Sequence, residues 1–234
     1  CKSSTVPHQS DFSLHNVGIP LFYPANSQDI LDYGALAIAL SRYSGAWVGM
    51  KCVTEVCDGG STVDVHPDRP AIILPPGYTK TIDPRTVSPV TLGMEVETNH
   101  RRLQAAVEFA RANQVSRWYG AKANAWLGIA SAGKSYLDTL QALRDLGIPE
   151  SDFEQFGIRV AKFGMTFPLD PAFCRDFATG LKAILVVEEK RSFLEMQLKD
   201  VLYATPAAPP IVGKLDSQGR PMLPPYGELS PDMI

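Results

Sequence analysis

Ala183-Ile184-Leu185-Val186-Val187 is an unbroken apolar run, rich in branched side chains. A strand with this composition shows apolar groups to both faces of its sheet, so both faces have to be covered, which is the habit of parallel sheets packed between helices. The neighbouring sequence supplies that cover. Pro171 to Thr179 reads as a short helix with Pro171 suited to its first position, and Ser192 to Leu202 as another. Ile158 to Phe163 and Ala125 to Ala130 read as two more strands. Leu137, Leu140, Leu143 and Leu146 line a helix stopped by Gly147 and Pro149, and Leu103, Ala106, Val107 and Ala110 fall along one helical face ahead of them. Three strands interleaved with helices over 101–203 predict a doubly wound, mostly parallel α/β domain.

A first block, 1–57, follows the same logic. Gly18 to Phe22 suits a short buried strand, Asn26 or Ser27 a helix N-cap, Ile30 to Leu40 a largely buried helix with Gly45 at its end, and Ala46 to Val53 a second strand. Strand, helix, strand implies a parallel pair. Residues 58–100 break the pattern. Six prolines (67, 70, 75, 76, 84 and 89) punctuate them and only Ala71 to Leu74 reads as a strand, so an extended linker or crossing arm is expected. Seven prolines after Thr205 predict that 204–234 is a tail lying extended or leading elsewhere.

Composition narrows the class. The 234 residues are 45% hydrophobic and 20% charged, as in ordinary globular proteins, and the net charge of −3 gives no electrostatic reason to expect nucleic acid or an anionic membrane as partner. No apolar run is long enough to span a bilayer. The four cysteines, Cys1, Cys52, Cys57 and Cys174, make no C-x-x-C pair, which leaves neither a zinc ribbon nor the usual cysteine-rich iron–sulfur run; Cys52 and Cys57 are expected to be buried free thiols. A reduced, cytoplasmic α/β protein is the reading. Because the chain opens Cys1-Lys2-Ser3-Ser4, it is expected to be a segment of a longer polypeptide.

Two stretches invite chemistry. Gly128-Ile129-Ala130-Ser131-Ala132-Gly133-Lys134-Ser135 fits the phosphate-loop pattern G-x-x-x-x-G-K-[ST], and Val186-Val187-Glu188-Glu189 could supply its acidic, magnesium-binding partner. If Trp126 to Ile129 is one strand running through Gly128, however, the amides of Ile129 and Ala130 are committed to a sheet and cannot turn onto a phosphate. The favoured reading is a strand–glycine turn–helix with Lys134 solvated; a nucleotide-binding protein is the alternative, and a non-catalytic assembly module a third. Glu188-Glu189-Lys190-Arg191 is read as a solvated helix entrance of mixed charge, with contact to a partner as the other option. His8 and Gln9 lie in a polar loop before a buried strand, where ligands commonly meet an α/β sheet, although composition alone favours reading them as a solvent-exposed polar loop. His15, His66 and His100 carry no specific pattern.

Lys2-Ser3-Ser4 through His8-Gln9-Ser10-Asp11, Pro24 to Asp29, Leu40 to Gly45, Trp47 to Thr54, Gly128 to Asp138, Lys162 to Pro171 and Val186 to Arg191 together resemble the indolepyruvate ferredoxin oxidoreductases. The resemblance covers most of 1–203. It implies part of a large thiamine-diphosphate enzyme that oxidatively decarboxylates arylpyruvates to aryl-acetyl-CoA, taking coenzyme A as acceptor and passing electrons through iron–sulfur clusters to ferredoxin. Residues 1–57 would be the later half of the pyrimidine-binding-type domain and 101–203 the transketolase C-terminal-like domain, which mainly supports assembly. Separately, apolar surface cut free from missing neighbours predicts self-association, at least as a homodimer. In that family GIASAGKSYLD is structural. The resemblance places the activating glutamate before Cys1, finds no magnesium–diphosphate motif here, and so implies that thiamine diphosphate, magnesium and iron–sulfur clusters belong to the parent and that this segment alone is inactive. Ser4, His8 and Gln9 are carried over as contacts near the substrate end of the thiamine site.

Overall fold

A computed structural model describes residues 8–234. Helix α1 (Ser10–Asn16) leads into strand β1 (Leu21–Phe22), helix α2 (Ser27–Ser44) and strand β2 (Gly49–Met50). β1 and β2 pair in parallel, Leu21 opposite Gly49 and Phe22 opposite Met50, as the strand–helix–strand order predicts. Asn26 starts α2 by accepting the Asp29 amide at 2.8 Å, and the Asp29 carboxylate reaches back to accept the Ala25 amide at 2.8 Å. Two donors next to the helix start are thereby satisfied. Gly45 ends the helix in the left-handed region, φ +76°. Cys52 and Cys57, beside and within the single turn α3 (Thr54–Cys57), are exposed, which corrects the expectation of buried thiols; Cys174 is the buried one.

The Pro-rich segment 58–88 forms no strand. Side-chain amides hold it instead. The Gln28 amide brackets the Asp64 backbone, accepting at 2.7 Å and donating at 3.3 Å, and Asn113 brackets Ile73 at 2.8 Å on both sides. Ile73 thus spends both backbone groups on one side chain, and the strand expected at 71–74 does not form. Regular structure resumes earlier than expected, with α4 (Val90–Val96), a π-helical segment Glu97–Arg102 and α5 (Leu103–Ala112) running on from one another.

The remaining elements are β3 (Arg117–Gly120), β4 (Leu127–Ser131), α6 (Lys134–Asp145), α7 (Phe153–Phe156), β5 (Ile158–Lys162), β6 (Met165–Phe167), α8 (Pro171–Ala178), β7 (Ala183–Val187), α9 (Leu194–Leu202) and β8 (Ile211–Val212). Five strands make one sheet in the order β3-β5-β4-β7-β8. β5, β4, β7 and β8 are parallel, and β3 closes one edge antiparallel to β5. Alternate residues serve opposite faces: Ile184 and Val186 pack with Phe177 of α8 and Leu198 of α9, whereas Ile129 and Val187 pack with Leu140 and Leu143 of α6. This is the doubly wound, mostly parallel α/β class that the apolar run at 183–187 demands.

β6 leaves that sheet and pairs antiparallel with β1, making a second sheet of order β2-β1-β6. The early and late parts of the chain are therefore joined by backbone pairing. A charged tie reinforces the joint: Lys162 of β5 lies 2.6–2.8 Å from the two Asp29 oxygens. The tail does not lead away. β8 extends the large sheet, Leu223 and Leu229 are buried against Ile129 and Val187, and Lys214 reaches the carbonyls of Glu188 and Pro224. Prolines confine strand pairing here to two residues without preventing apolar packing.

Candidate functional site

Strand carboxyl ends are where an open α/β sheet meets its ligands. In this chain the ends of both sheets converge. Tyr23 follows β1, Lys51 follows β2, Ala132 to Ser135 follow β4, and Glu188 to Arg191 follow β7. Among the described residues, Tyr23, Lys51, Ala132, Ser135, Glu188 and Glu189 line one small cavity together with Gln9 and Asp11.

Gln9 is brought to this place by a two-point clasp. Its Oε1 accepts the Arg191 amide at 3.1 Å and its Nε2 donates to the Arg191 carbonyl at 3.2 Å. Lys190 adds a bond to the His8 carbonyl at 2.9 Å, and the Arg191 guanidinium lies 4.6 Å from the Phe12 ring centre. The loop carrying His8 is thus pinned to the end of β7; the His8 residue itself is exposed. Ser4 lies outside the described residues. Behind the loop, both Asp11 oxygens accept from Lys51 Nζ at 3.0 Å, and that ammonium also sits 4.3 Å from the Tyr23 ring centre. Burial, with the Glu189 and Asp11 charges adding to it, pushes the Tyr23 hydroxyl well above its ordinary range, so it stays protonated.

The glycine-lysine stretch is not a phosphate loop. β4 runs from Leu127 to Ser131, pairing with β5 on one side and β7 on the other through Ile129 and Ala130. A phosphate cradle would need those amides free. The turn at Gly133 is filled: a Cβ built there would lie 2.1 Å from the Tyr23 ring. Lys134 is not solvated, as expected, but engaged. Its ammonium is 2.6 Å from Asp138, 3.5 Å from Glu228 and 2.7 Å from the Leu229 carbonyl. Burial pulls its pKa down, and the Asp138 hydrogen bond with the surrounding carboxylates outweighs that and raises it.

The acidic pair after β7 is not a solvated entrance either. The Glu188 carboxylate accepts the amides of Phe193, Leu194 and Glu195 at 2.8–3.0 Å and so caps α9. Glu189 is buried and accepts the Leu229 amide at 3.2 Å. Only Lys190 and Arg191 serve the surface, where they hold the His8–Gln9 loop. Sequence reasoning missed Tyr23, Lys51 and Asp11. The signal available was position alone, since Tyr23 and Lys51 each directly follow a short strand.

The profile described as "Indolepyruvate oxidoreductase domain" matches residues 117–234, half of the chain. The chain belongs to the indolepyruvate oxidoreductase family. Among curated relatives of this family member, indolepyruvate oxidoreductase subunit IorA of Methanothermobacter marburgensis is 26% identical over 216 residues, 92% of this chain and 33% of the relative. The IorA subunit of Methanothermobacter thermautotrophicus is 26% identical over 207 residues, 85% of this chain and 31% of the relative. The chain spans about a third of the length of these relatives. Among solved structures, the 2-oxoglutarate:ferredoxin oxidoreductase from Magnetococcus marinus, with 2-oxoglutarate, coenzyme A and succinyl-CoA bound, matches 100% of this chain and 45% of its own with a TM-score of 0.55 at 15% identity, a likeness of fold. No helix among the described residues is long and apolar enough to cross a membrane.

Proposed function

We propose that this chain is the part of an indolepyruvate:ferredoxin oxidoreductase in which the later half of a pyrimidine-binding-type domain (1–57) is braced by a transketolase C-terminal-like domain (101–203). The complete enzyme decarboxylates indolepyruvate and related arylpyruvates oxidatively, transfers the acyl group to coenzyme A and delivers two electrons to ferredoxin. The observation that carries this reading is the similarity to IorA over 92% of the chain. The docked His8–Gln9 loop supports its local part, that His8 and Gln9 border the substrate end of the site with Gln9 fixing the loop; Ser4 is given the same role from the resemblance alone.

Thiamine diphosphate, magnesium and iron–sulfur clusters would supply the carbanion and electron chemistry of such an enzyme. The cavity at the strand ends does not compose a seat for them. The cavity at the strand ends is about 20 Å³, far too small for a thiazolium ring. Among the described residues no group of three or more histidine, cysteine or acidic side chains is placed to hold a metal. Those seats are assigned to the rest of the complete protein. This chain's share is structural and orienting: it locks the strand ends together, keeps the Tyr23 proton in place and presents the His8 loop. Alone it would turn over no substrate, and in the complete enzyme it would contribute to a cytoplasmic homodimer.

The test is an anaerobic assay of the complete protein with coenzyme A and ferredoxin, comparing indolepyruvate, phenylpyruvate, pyruvate and 2-oxoglutarate. Arylpyruvates should be preferred by kcat/KM by about 10-fold or more. A preference for pyruvate or 2-oxoglutarate would overturn the substrate class, and no reduction with any of the four would overturn the activity.

A further inference from the structure

The joint between the two sheets contains buried hydroxyls that the protein itself does not satisfy. Among the described residues neither Tyr23 OH nor Ser135 Oγ has a hydrogen-bond partner, and the two residues are 6% and 1% exposed. Both line the cavity of about 20 Å³, whose walls also carry Glu189, Asp11 and Lys51. Leaving a buried hydroxyl without a partner costs about 1–3 kcal/mol, which a native fold seldom tolerates twice in one place. A space of roughly 10–15 Å³ or more with two to four polar neighbours holds one water molecule. The cavity meets both conditions. Its chemistry also distinguishes among small occupants. The Lys51 ammonium in the wall opposes a metal cation, and the carboxylates of Glu189 and Asp11 oppose an anion.

We infer that this cavity is a binding site for a single structural water, accepting from the Tyr23 hydroxyl and bonded to Ser135 and the Glu189 carboxylate. The water links β1, through Tyr23, to the start of α6 and the end of β7. It thereby joins the first block to the large sheet at the point where Gly133 packs on the Tyr23 ring. Because Asp11 and Gln9 share the same wall, it also sits directly behind the loop that presents His8. This site stands independently of the substrate and activity proposed above, since it follows from burial and hydrogen bonding alone.

A crystal structure of the complete protein at a resolution that orders solvent, together with a rubidium soak, tests it. The expected result is one peak within roughly 2.6–3.2 Å of Tyr23 OH, Ser135 Oγ and a Glu189 oxygen, as well ordered as the surrounding protein and without a rubidium anomalous signal. Ser135→Ala, which removes one partner, should weaken or abolish the peak. Tyr23→Phe should do the same. Absence of the peak, a direct Tyr23–Ser135 hydrogen bond that closes the space, a rubidium signal, or an undiminished peak in both variants would each overturn the inference.

Discussion

Gly133→Ala separates a packed turn from a phosphate loop. Gly133 has φ +54° and ψ −137°, a region that is essentially closed to residues with a side chain. Its ideal Cβ would lie 2.1, 2.3 and 2.4 Å from three Tyr23 ring carbons, where carbon atoms normally stop at about 3.5–4.0 Å. Tyr23 cannot swing away easily, because it is 6% exposed and lies under Lys51. Backbone strain of about 1–3 kcal/mol adds to overpacking of about 1–3 kcal/mol, so a loss of about 2–6 kcal/mol is expected. Gly147 provides the control. It too has a positive φ, +76°, but nothing lies within 4 Å of its Cβ position, so Gly147→Ala should cost only about 1 kcal/mol. At about 2–4 °C per kcal/mol for a protein of this size, the first variant should melt about 4–24 °C below the parent and the second about 2–4 °C below it. Thermal and urea unfolding, paired with a magnesium–ATP titration, make the assay. Equal melting of the two variants would refute the packing argument, as would a parent that binds ATP and loses it on this substitution with its stability intact.

Lys134→Met should cost about 1–3 kcal/mol by urea unfolding, because it leaves the Asp138 carboxylate, 14% exposed, without its partner; it should leave any ATP titration flat, and an ATP signal lost with Lys134 would contradict the turn. Asp170→Ala removes the α8 cap to the Ala172 amide and the paired bonds from Arg111 at 2.6 and 2.8 Å. Partial burial pushes the Asp170 carboxyl up, but the Arg111 and Ala172 hydrogen bonds outweigh it and hold the carboxyl below its ordinary range. A depressed folded pKa stabilises above the unfolded value near about 3.9 and fades as pH falls through the folded one. The variant should therefore be about 1–2 kcal/mol less stable at neutral pH, and the gap should narrow below about pH 4. A gap that widens in acid would reverse the sign and refute the assignment.

The sequence carried the fold where periodicity and capping agreed. Ala183 to Val187 is a strand over the expected residues, and Asn26 and Gly45 bound their helix as cap chemistry requires. β3 escaped because Arg117, Trp118 and Tyr119 are half-exposed edge residues without clean alternation. β8 escaped because two residues between Pro210 and Gly213 leave no period to read. Residues 90–102 looked like linker because Gly93 and β-branched neighbours dilute the helical signal, and because α4 buries none of its residues, so no apolar stripe marks a helical face there. At the site, the polar loop with His8 and Gln9 was visible, but its anchor was not. The clasp on Arg191 spans 182 residues and involves backbone groups, which no local pattern encodes. Glu188 and Glu189 were misread as solvated because charge runs usually are; the amides of α9 and of Leu229 reward their burial here.

The role given to this chain rests on the His8–Gln9 loop being held at the strand ends for the reaction. Steady-state kinetics of Gln9→Ala in the complete protein, with indolepyruvate, coenzyme A and ferredoxin, probe that most directly. Losing both bonds to Arg191 should lower kcat by about 10- to 100-fold through misplacement of the loop, with KM changed far less and the melting temperature within about 4 °C of the parent. Unchanged kcat in a variant that folds normally would contradict the account.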